Sequence, residues 1–405
     1  MVAWVAMPIV LLSACDQGSR DAGGMSGVYD GGGSGLAVRD SAGIKIIESV
    51  GEAPSALSII VDTVAVLKIG AVDDERYSFS RIIGSVIDRA GQIHVADGVR
   101  AEVKLFDARG NYIRTYGGSG SGPGEFQAIR GIDYCNGSVV VSDLLGHRIA
   151  IFDDNGKLKE TRRWEALRRG VTPMRMTCNE TGMFVQIDRE SKALEALLGA
   201  YTLNAVVASV DQGGNRKGKL IEVPGIDRYR YETVDGPAEL GKTASVTTSE
   251  DKVVVAVGGF PELRKFTTEG ALAEIIRWEY QRLPVTDSVQ QAELEKRVEI
   301  LPAAMRGAYT TLWAQMEHPS HLPSISALRS GPNGEVWVRR YALDHRGSQV
   351  WWVIAKSGAL LSTVAVPDGF ELHTVLEDAV LGVTEDELGV EYVEKRRVIR
   401  SAVNM

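Results

Sequence analysis

Two stretches of this chain decide how it folds: Ile87–Gly117, IDRAGQIHVADGVRAEVKLFDARGNYIRTYG, and Ile132–Trp164, IDYCNGSVVVSDLLGHRIAIFDDNGKLKETRRW. With one residue inserted, Asp97 meets Asp143, Phe106 meets Phe152, Asp107 meets Asp153 and Gly110 meets Gly156, each pair 46 positions apart. Both stretches are short apolar runs punctuated by Gly, Asp and Asn, which is the pattern of strands rather than of a helix. One strand reaches a polar turn at Arg89-Ala90-Gly91 or at Asn136-Gly137. The next carries Ile93 and Val95, or Val139 and Val141. A third closes on Phe-Asp, and Gly110 or Gly156 then opens another hairpin.

The same plan recurs along the chain. From Val253 a copy aligns without a gap at a shift of 160: Val95 meets Val255, Glu102 meets Glu262, Phe106 meets Phe266 and Gly110 meets Gly270. Gly334–Val366 repeats it with a longer middle turn, and Gly182–Gly214 more loosely, with an insertion around residues 189 to 203. The units fall near 81–116, 128–164, 172–223, 243–280 and 325–366. Residues 372–400 supply about three more strands, and residues 57–70 one orphan strand. Four antiparallel strands in about 45 residues make one blade of a β-propeller. Such a sheet cannot bury both faces alone, so its neighbours must stack around an axis. Pairing the orphan strand with the last blade closes the ring and removes two exposed edges. The expected fold is all-β: a six-bladed β-propeller over residues 41–400, its N-terminal strand closing the last blade.

Residues 284–321 break the β pattern. Asp287 or Ser288 can cap a helix, with Gln290 and Gln291 near the third turn position. Val289, Leu294, Val298 and Leu301 recur at near-helical spacing; Pro302 interrupts, and Met305, Tyr309, Leu312, Trp313 and Met316 form a second stripe. A helical insertion packed on one propeller face is expected here, with a lid or a docking surface as the sharper reading.

The run Gly117–Phe126, GGSGSGPGEF, could cradle a phosphate, but no helix pattern follows it, so that reading lacks its main physical support. It reads as the connection between two blades, with Phe126 plugging between sheets. Together with Gly131-Ile132 and VVVSDLLGHRIAIFDDNG, this segment resembles an NHL-type repeat. The whole chain resembles the bacterial six-bladed β-propeller proteins of that broad group. The stretches DSAGIKIIES (Asp40–Ser49), LPSISALRSGPNGEVWVRRY (Leu322–Tyr341) and DAVLGVTEDELGVEYV (Asp378–Val393) carry the likeness further. Such proteins are often exported lipoproteins, so the resemblance implies export.

The N-terminus agrees with that implication. Residues 2–14 are uncharged and mostly apolar, too short to span a bilayer, with the length of a signal peptide's core. Leu12-Ser13-Ala14-Cys15 resembles the lipobox of bacterial lipoproteins, although no Lys or Arg precedes the apolar run. The likeness implies a signal peptide at 1–14 and lipidation of Cys15. Residues 15–40 hold too little apolar content to pack and read as a flexible tether. A protein anchored in the periplasm or at the outer surface by its lipid alone is expected.

Composition narrows the chemistry. The net charge of −8 argues against a nucleic-acid binder, which needs cations for phosphates. The run Arg162–Arg169 is interrupted by Glu165 and apolar residues and reads as a solvated blade edge. His94, His147, His318, His321, His345 and His373 form no close helical metal pair. Propeller lyases and lactonases carry axial metal sites, so calcium or zinc held by residues of distant blades stays open, with no ligands assignable. Asp97 and Asp143, at equivalent places, read as acceptors for backbone N–H groups. No G-x-S-x-G elbow occurs, and no catalytic residue is assigned. Cys135 and Cys178 sit in the matching turns YCNG and TCNE. An exported chain favours their pairing, whereas equivalent points on adjacent blades lie a radius apart and a disulfide needs Cα atoms within about 7 Å. A disulfide is left open. The expected role is non-catalytic binding or scaffolding of a protein, peptide or glycan by a monomer. The alternative is a metal-dependent hydrolase or lyase of the lactonase or amidating-lyase kind.

Overall fold

The computed structural model describes residues 35–50, 57–163, 171–189, 199–210, 216–231, 234–344 and 347–402. Their strands form six sheets, each starting as an antiparallel meander. Blade 1 holds Ile82–Ile87, Ile93–Asp97, Glu102–Phe106 and Tyr112–Gly117; blade 2 holds Ile129–Tyr134, Val139–Asp143, Arg148–Phe152 and Leu158–Arg163. Blade 3 comprises Val171–Asn179, Gly182–Arg189, Gly199–Val210, Arg216–Tyr231 and Val234–Pro237. Blade 4 comprises Ser245–Ser249, Lys252–Ala256, Glu262–Phe266 and Leu272–Trp278, and blade 5 Ile325–Ser330, Val336–Arg340, Gln349–Ile354 and Leu360–Val366. Blade 6 takes Glu371–Val375, Ala379–Glu385 and Glu391–Ala402 from the C-terminus and Leu57–Ile69 from the N-terminus. The six-bladed ring expected from the repeat is the ring observed, with the expected strand closing it.

The repeat works through register. Phe106 faces Ile93, Phe152 faces Val139, and Phe266 faces Val253. Each phenylalanine is buried and joins a cluster between two blades. Six such clusters occur among the described residues, one at each junction. Val103 and Leu105 of blade 1 meet Val139 and Val141 of blade 2. Val140 and Ile149 meet Val185 and Ala208 at the next junction. Phe184 and Val207 meet Val246 and Val255. The ring continues through Ile276 with Val336, Trp351 with Phe370, and Leu381 with Ile93. The core is thus six wedges between sheets, and the middle is left for a channel.

Hairpin turns follow one recipe. In Asp88–Gly91, Asp107–Gly110, Asp153–Gly156 and Asp386–Gly389 the glycine N–H donates to the aspartate carbonyl at 2.9 to 3.1 Å. The carboxylate accepts the N–H groups two and four residues on, as with Arg109 and Asn111 at 2.9 and 2.8 Å from Asp107. The glycines have φ of 71 to 83°, a left-handed conformation that side chains disfavour. Asp97 and Asp143 act differently. Fully buried Asp97 accepts from the backbone of Ser80 (2.7 Å), Arg81 (3.3 Å), Val99 and Arg100 (both 3.1 Å). Asp143 accepts from Gln127, Ala128 and Gly146. Each carboxylate ties the chain entering its blade to the turn that follows its own strand.

The glycine-rich run is the blade 1–2 connection. Phe126 is fully buried beside Phe152, and a Cβ on Gly117 would lie 2.7 Å from its ring. The carbonyls of Gly120, Ser121 and Glu125 accept from the Arg148 guanidinium, whose Nε donates to Asp143 at 3.1 Å. A phosphate cradle presents N–H groups inward; this loop presents carbonyls to a cation.

Two segments depart from the sequence reading. The expected tether, 15–40, lies outside the described residues up to 34, but Gly35–Ser41 is a strand. It pairs with Ile44–Val50, which runs parallel to Leu272–Trp278 on the outer edge of blade 4. Leu36 and Val38 pack there against the blade 4–5 cluster, which gives this polar-looking stretch something to bury. In the insertion, helices α1 (Asp287–Ile300) and α2 (Ala303–Gln315) meet at Pro302. The cap is Thr286, one residue before the expected pair, its hydroxyl accepting from Val289 N–H. Helix α1 docks by charge: Arg297, paired within the helix to buried Glu293 at 3.2 Å, reaches Glu239 at 2.9 Å. Leu312 and Trp313 of α2 are buried, whereas Met305 of the expected stripe is exposed.

Candidate functional site in the axial channel

The first strand of every blade lines the axis. Two adjoining cavities of about 200 and 400 Å³ lie along it. The smaller sits where these strands begin, beside Ile83, Gly84 and Arg130. The larger opens among the turns that end them, beside Ser330, Pro332 and Glu377. Asp133, Arg175, Met176, Arg329, His373 and Thr374 line both and form the waist between them.

At the waist, five blades contribute polar groups. Arg329 of blade 5 donates from Nε to Leu372 O and from Nη1 to Leu328 O, both at 3.0 Å. Its guanidinium lies 5.9 Å from the Trp351 ring, and Nη2 has no partner among the described residues. Arg175 of blade 3 has no hydrogen bond or ion pair among the described residues; it is half-buried, ringed by protein yet open to the cavity. Ser85 Oγ and His373 Nδ1, from blades 1 and 6, lie 3.0 Å apart. Thr374 Oγ1 donates to Ser85 O at 3.0 Å and joins the last blade to the first. Asp133 of blade 2 accepts Tyr134 N–H at 2.8 Å.

Enclosure changes the acidity of these groups. Burial pulls Arg329 well below the ordinary guanidinium range, and the nearby Arg175 charge adds to the effect. Burial lowers Arg175 as well, with Asp133 and Glu371 opposing. Burial pushes Asp133 up to about 6, against its hydrogen bond from Tyr134. Burial holds His373 at about 4, Glu371 opposing and the two arginines reinforcing.

These shifts set opposed pH dependences. His373 binds its proton less readily in the fold than in the open chain, so its contribution is lost as pH falls from 6.5 to about 4. Asp133 binds its proton more readily in the fold, so its contribution is lost as pH rises from 3.8 to about 6. Each is on the order of 3 kcal/mol, reduced where the cavity holds water. Relative to the parent, Asp133→Asn is expected to gain about 1–2 kcal/mol at pH 7 and little at pH 4. His373→Gln is expected to lose its disadvantage as the pH falls towards 4. Urea midpoints at pH 4.5, 5.5 and 7 measure both; variant profiles parallel to the parent would refute the assignment.

The other sequence candidates lie elsewhere. Cys15 and His345 are outside the described residues, as is most of Arg162–Arg169. His94 is buried between Tyr116 Oη (2.9 Å) and Asp88 (3.4 Å). His318 stacks on Trp313, and His321 meets Ser320. Cys135 and Cys178 are joined as a disulfide with Cα atoms 5.8 Å apart. The geometric objection lapses because both turns end innermost strands, where adjacent blades converge; Tyr134 and Thr177 beside them line the larger cavity.

A resident divalent cation does not suit this channel. Among the described residues one group of three candidate ligands clusters, Asp133 with Cys135 and Cys178, and its sulfurs are bonded to each other rather than free as thiolates. At the waist, two guanidiniums offer no lone pairs and repel a cation.

A family model described as "6-bladed beta-propeller" matches residues 45–177. Among solved structures, a member of the duf4221 family from Bacteroides vulgatus covers 86% of this chain and 99% of its own at 9% identity, with a TM-score of 0.50. A Bacteroides fragilis protein provisionally described as exported covers 89% and 100% at 12% identity and a TM-score of 0.47. Virginiamycin B lyase from Staphylococcus aureus, in a catalytically inactive form with quinupristin, covers 90% and 100% at 10% identity and a TM-score of 0.42. At such identities the likeness is one of fold. A comparison with curated proteins finds no match. Six meander sheets, six inter-blade wedges and this family match make the chain a six-bladed β-propeller, similar to that family from its N-terminal hairpin into blade 3.

Proposed function

We propose that this propeller is a binding or scaffolding module without chemistry of its own, which admits part of a protein, peptide or glycan ligand into the axial channel. The observation that carries the reading is the waist itself: polar groups from several blades converge on adjoining cavities, yet none forms a competent catalytic set. Ser85 and His373 resemble a nucleophile and its base, but a histidine held at about 4 is a weak base at neutral pH. The paired arginines disfavour the metal-dependent hydrolase or lyase.

A panel of short peptides and oligosaccharides, with and without EDTA, tests this. The expected result is a raised Tm for some member, recovered unchanged by mass spectrometry, with no effect of EDTA. Product that appears with the protein and vanishes with EDTA would replace the reading with the metal-dependent enzyme.

The site of action is inferred to lie outside the cytoplasm, on a lipid anchor at Cys15. Leu12-Ser13-Ala14-Cys15 supports this, as does the disulfide between Cys135 and Cys178, a bond typical of oxidising compartments. Cys15→Ser is expected to move the protein from the membrane to the soluble fraction; continued membrane association would refute the anchor.

A further inference from the structure

We infer that the channel waist is an oxyanion site, where Arg175 and Arg329 grip a carboxylate or phosphate group of the ligand and the Ser85–His373 pair supplies a further donor. The inference rests on the reading of the channel as a ligand site and names the chemistry the ligand must carry.

Four observations lead there. First, Arg175 has no hydrogen bond or ion pair among the described residues, although it lines both cavities. A guanidinium enclosed by protein without a bonded anion is costly, and the carboxylates of Asp133 and Glu371 offset that cost only in part. Second, Arg329 is locked in place by two backbone carbonyls and the Trp351 ring while Nη2 is left unused. A fixed planar donor on one blade that shares its cavities with an unpaired one from another suits a planar or tetrahedral oxyanion. Third, neutral His373 leaves one donor over in either tautomer. If Nδ1 accepts from Ser85, Nε2–H is free; if Nδ1–H donates, the Ser85 hydroxyl is free. Fourth, the two guanidiniums repel each other, which burial amplifies, and a bound anion relieves that repulsion. Arg130 and Arg339 add positive charge nearby, against the carboxylates of Asp133 and Glu371, in a chain whose overall charge is −8. The cavities, about 200 and 400 Å³, admit a carboxylate or phosphate with the portion of ligand that bears it.

The test is calorimetric titration of the whole protein at pH 7 and constant ionic strength, with inorganic phosphate and, separately, with succinate. Saturable binding of at least one is expected, weakened tenfold or more by Arg175→Gln and by Arg329→Gln. Phosphate alone would identify a phosphoryl group, succinate alone a carboxylate. Asp133→Asn removes a competing negative charge and is expected to tighten binding several-fold. Arg175 has no hydrogen bond or ion pair among the described residues, so without ligand Arg175→Gln is expected to fold and to melt above the parent; a residue held for packing would melt below it. No saturable binding of either anion, or binding undiminished in both arginine variants, overturns the site. If a neutral panel ligand is bound unchanged while both anions fail, the oxyanion site falls and the binding module stands. If a panel ligand is converted while the arginine variants lose phosphate, the module falls and the oxyanion site stands.

Discussion

Replacing Leu57–Ile69 by a Gly/Ser linker of equal length is expected to leave no folded monomer. The strand pairs with Glu391–Ala402 from Leu57 opposite Ala402 to Ile69 opposite Val393. It buries Ile59, Val61 and Ile69, at 4%, 4% and 2% exposure. At about 1.5–3 kcal/mol per large aliphatic side chain these three alone approach the net stability of an ordinary domain, about 5–15 kcal/mol. The loss also bares an edge of Glu391–Ala402 in the middle of its sheet, a template for association with other chains. A milder version is Val61→Asp, which places a charge beside Val364 and Phe370 and is expected to cost about 3–5 kcal/mol. Size-exclusion chromatography and urea unfolding measure both. A monomeric linker variant with the parent midpoint would show that the ring does not depend on this seam.

Asp97→Ala is expected to cost about 3–5 kcal/mol, more than any other single change to a turn carboxylate of blade 1. Its oxygens accept four backbone N–H groups on both sides of one strand, and the side chain is fully buried. Alanine leaves those donors facing a dry space, where each unsatisfied group costs about 1–3 kcal/mol before the chain relaxes. Asp97→Asn keeps the shape and loses acceptor capacity, so it should fall between. Asp107→Ala removes a carboxylate of the other kind, exposed and serving one hairpin, and should cost far less. Equal midpoints for Asp97→Ala and Asp107→Ala would refute the distinction.

The ring was legible because its signal is local and recurrent. Phe106, Phe152 and Phe266 mark the same register in three blades, and the Asp-x-x-Gly turns mark the hairpins. The closing strand was legible by counting, since a blade with three strands needs a fourth. The N-terminal hairpin was not. Its two seven-residue strands are of mixed polarity, and the parallel partner at Leu272–Trp278 is more than 200 residues away. The insertion was legible as helical, but its docking surface was not: α1 answers to Glu239, a residue unremarkable until the chain folds. The waist was the least visible feature. Arg175 and Arg329 lie 154 positions apart in strands that show little of the repeat, and only closure brings them to one cavity. An arginine on an innermost strand is the one hint the sequence carried, and it needs the strand assignment first.

The seam also fixes an order of events. Leu57–Ile69 leaves the ribosome early, but its partner, Glu391–Ala402, is made roughly 330 residues later. At 5–20 residues per second the wait is roughly 15 to 70 s, during which the first-made strand has nowhere to dock. The circle therefore cannot be completed before Glu391–Ala402 has been made. Its last join is made by the oldest part of the molecule, which stands idle until the newest blade arrives to receive it.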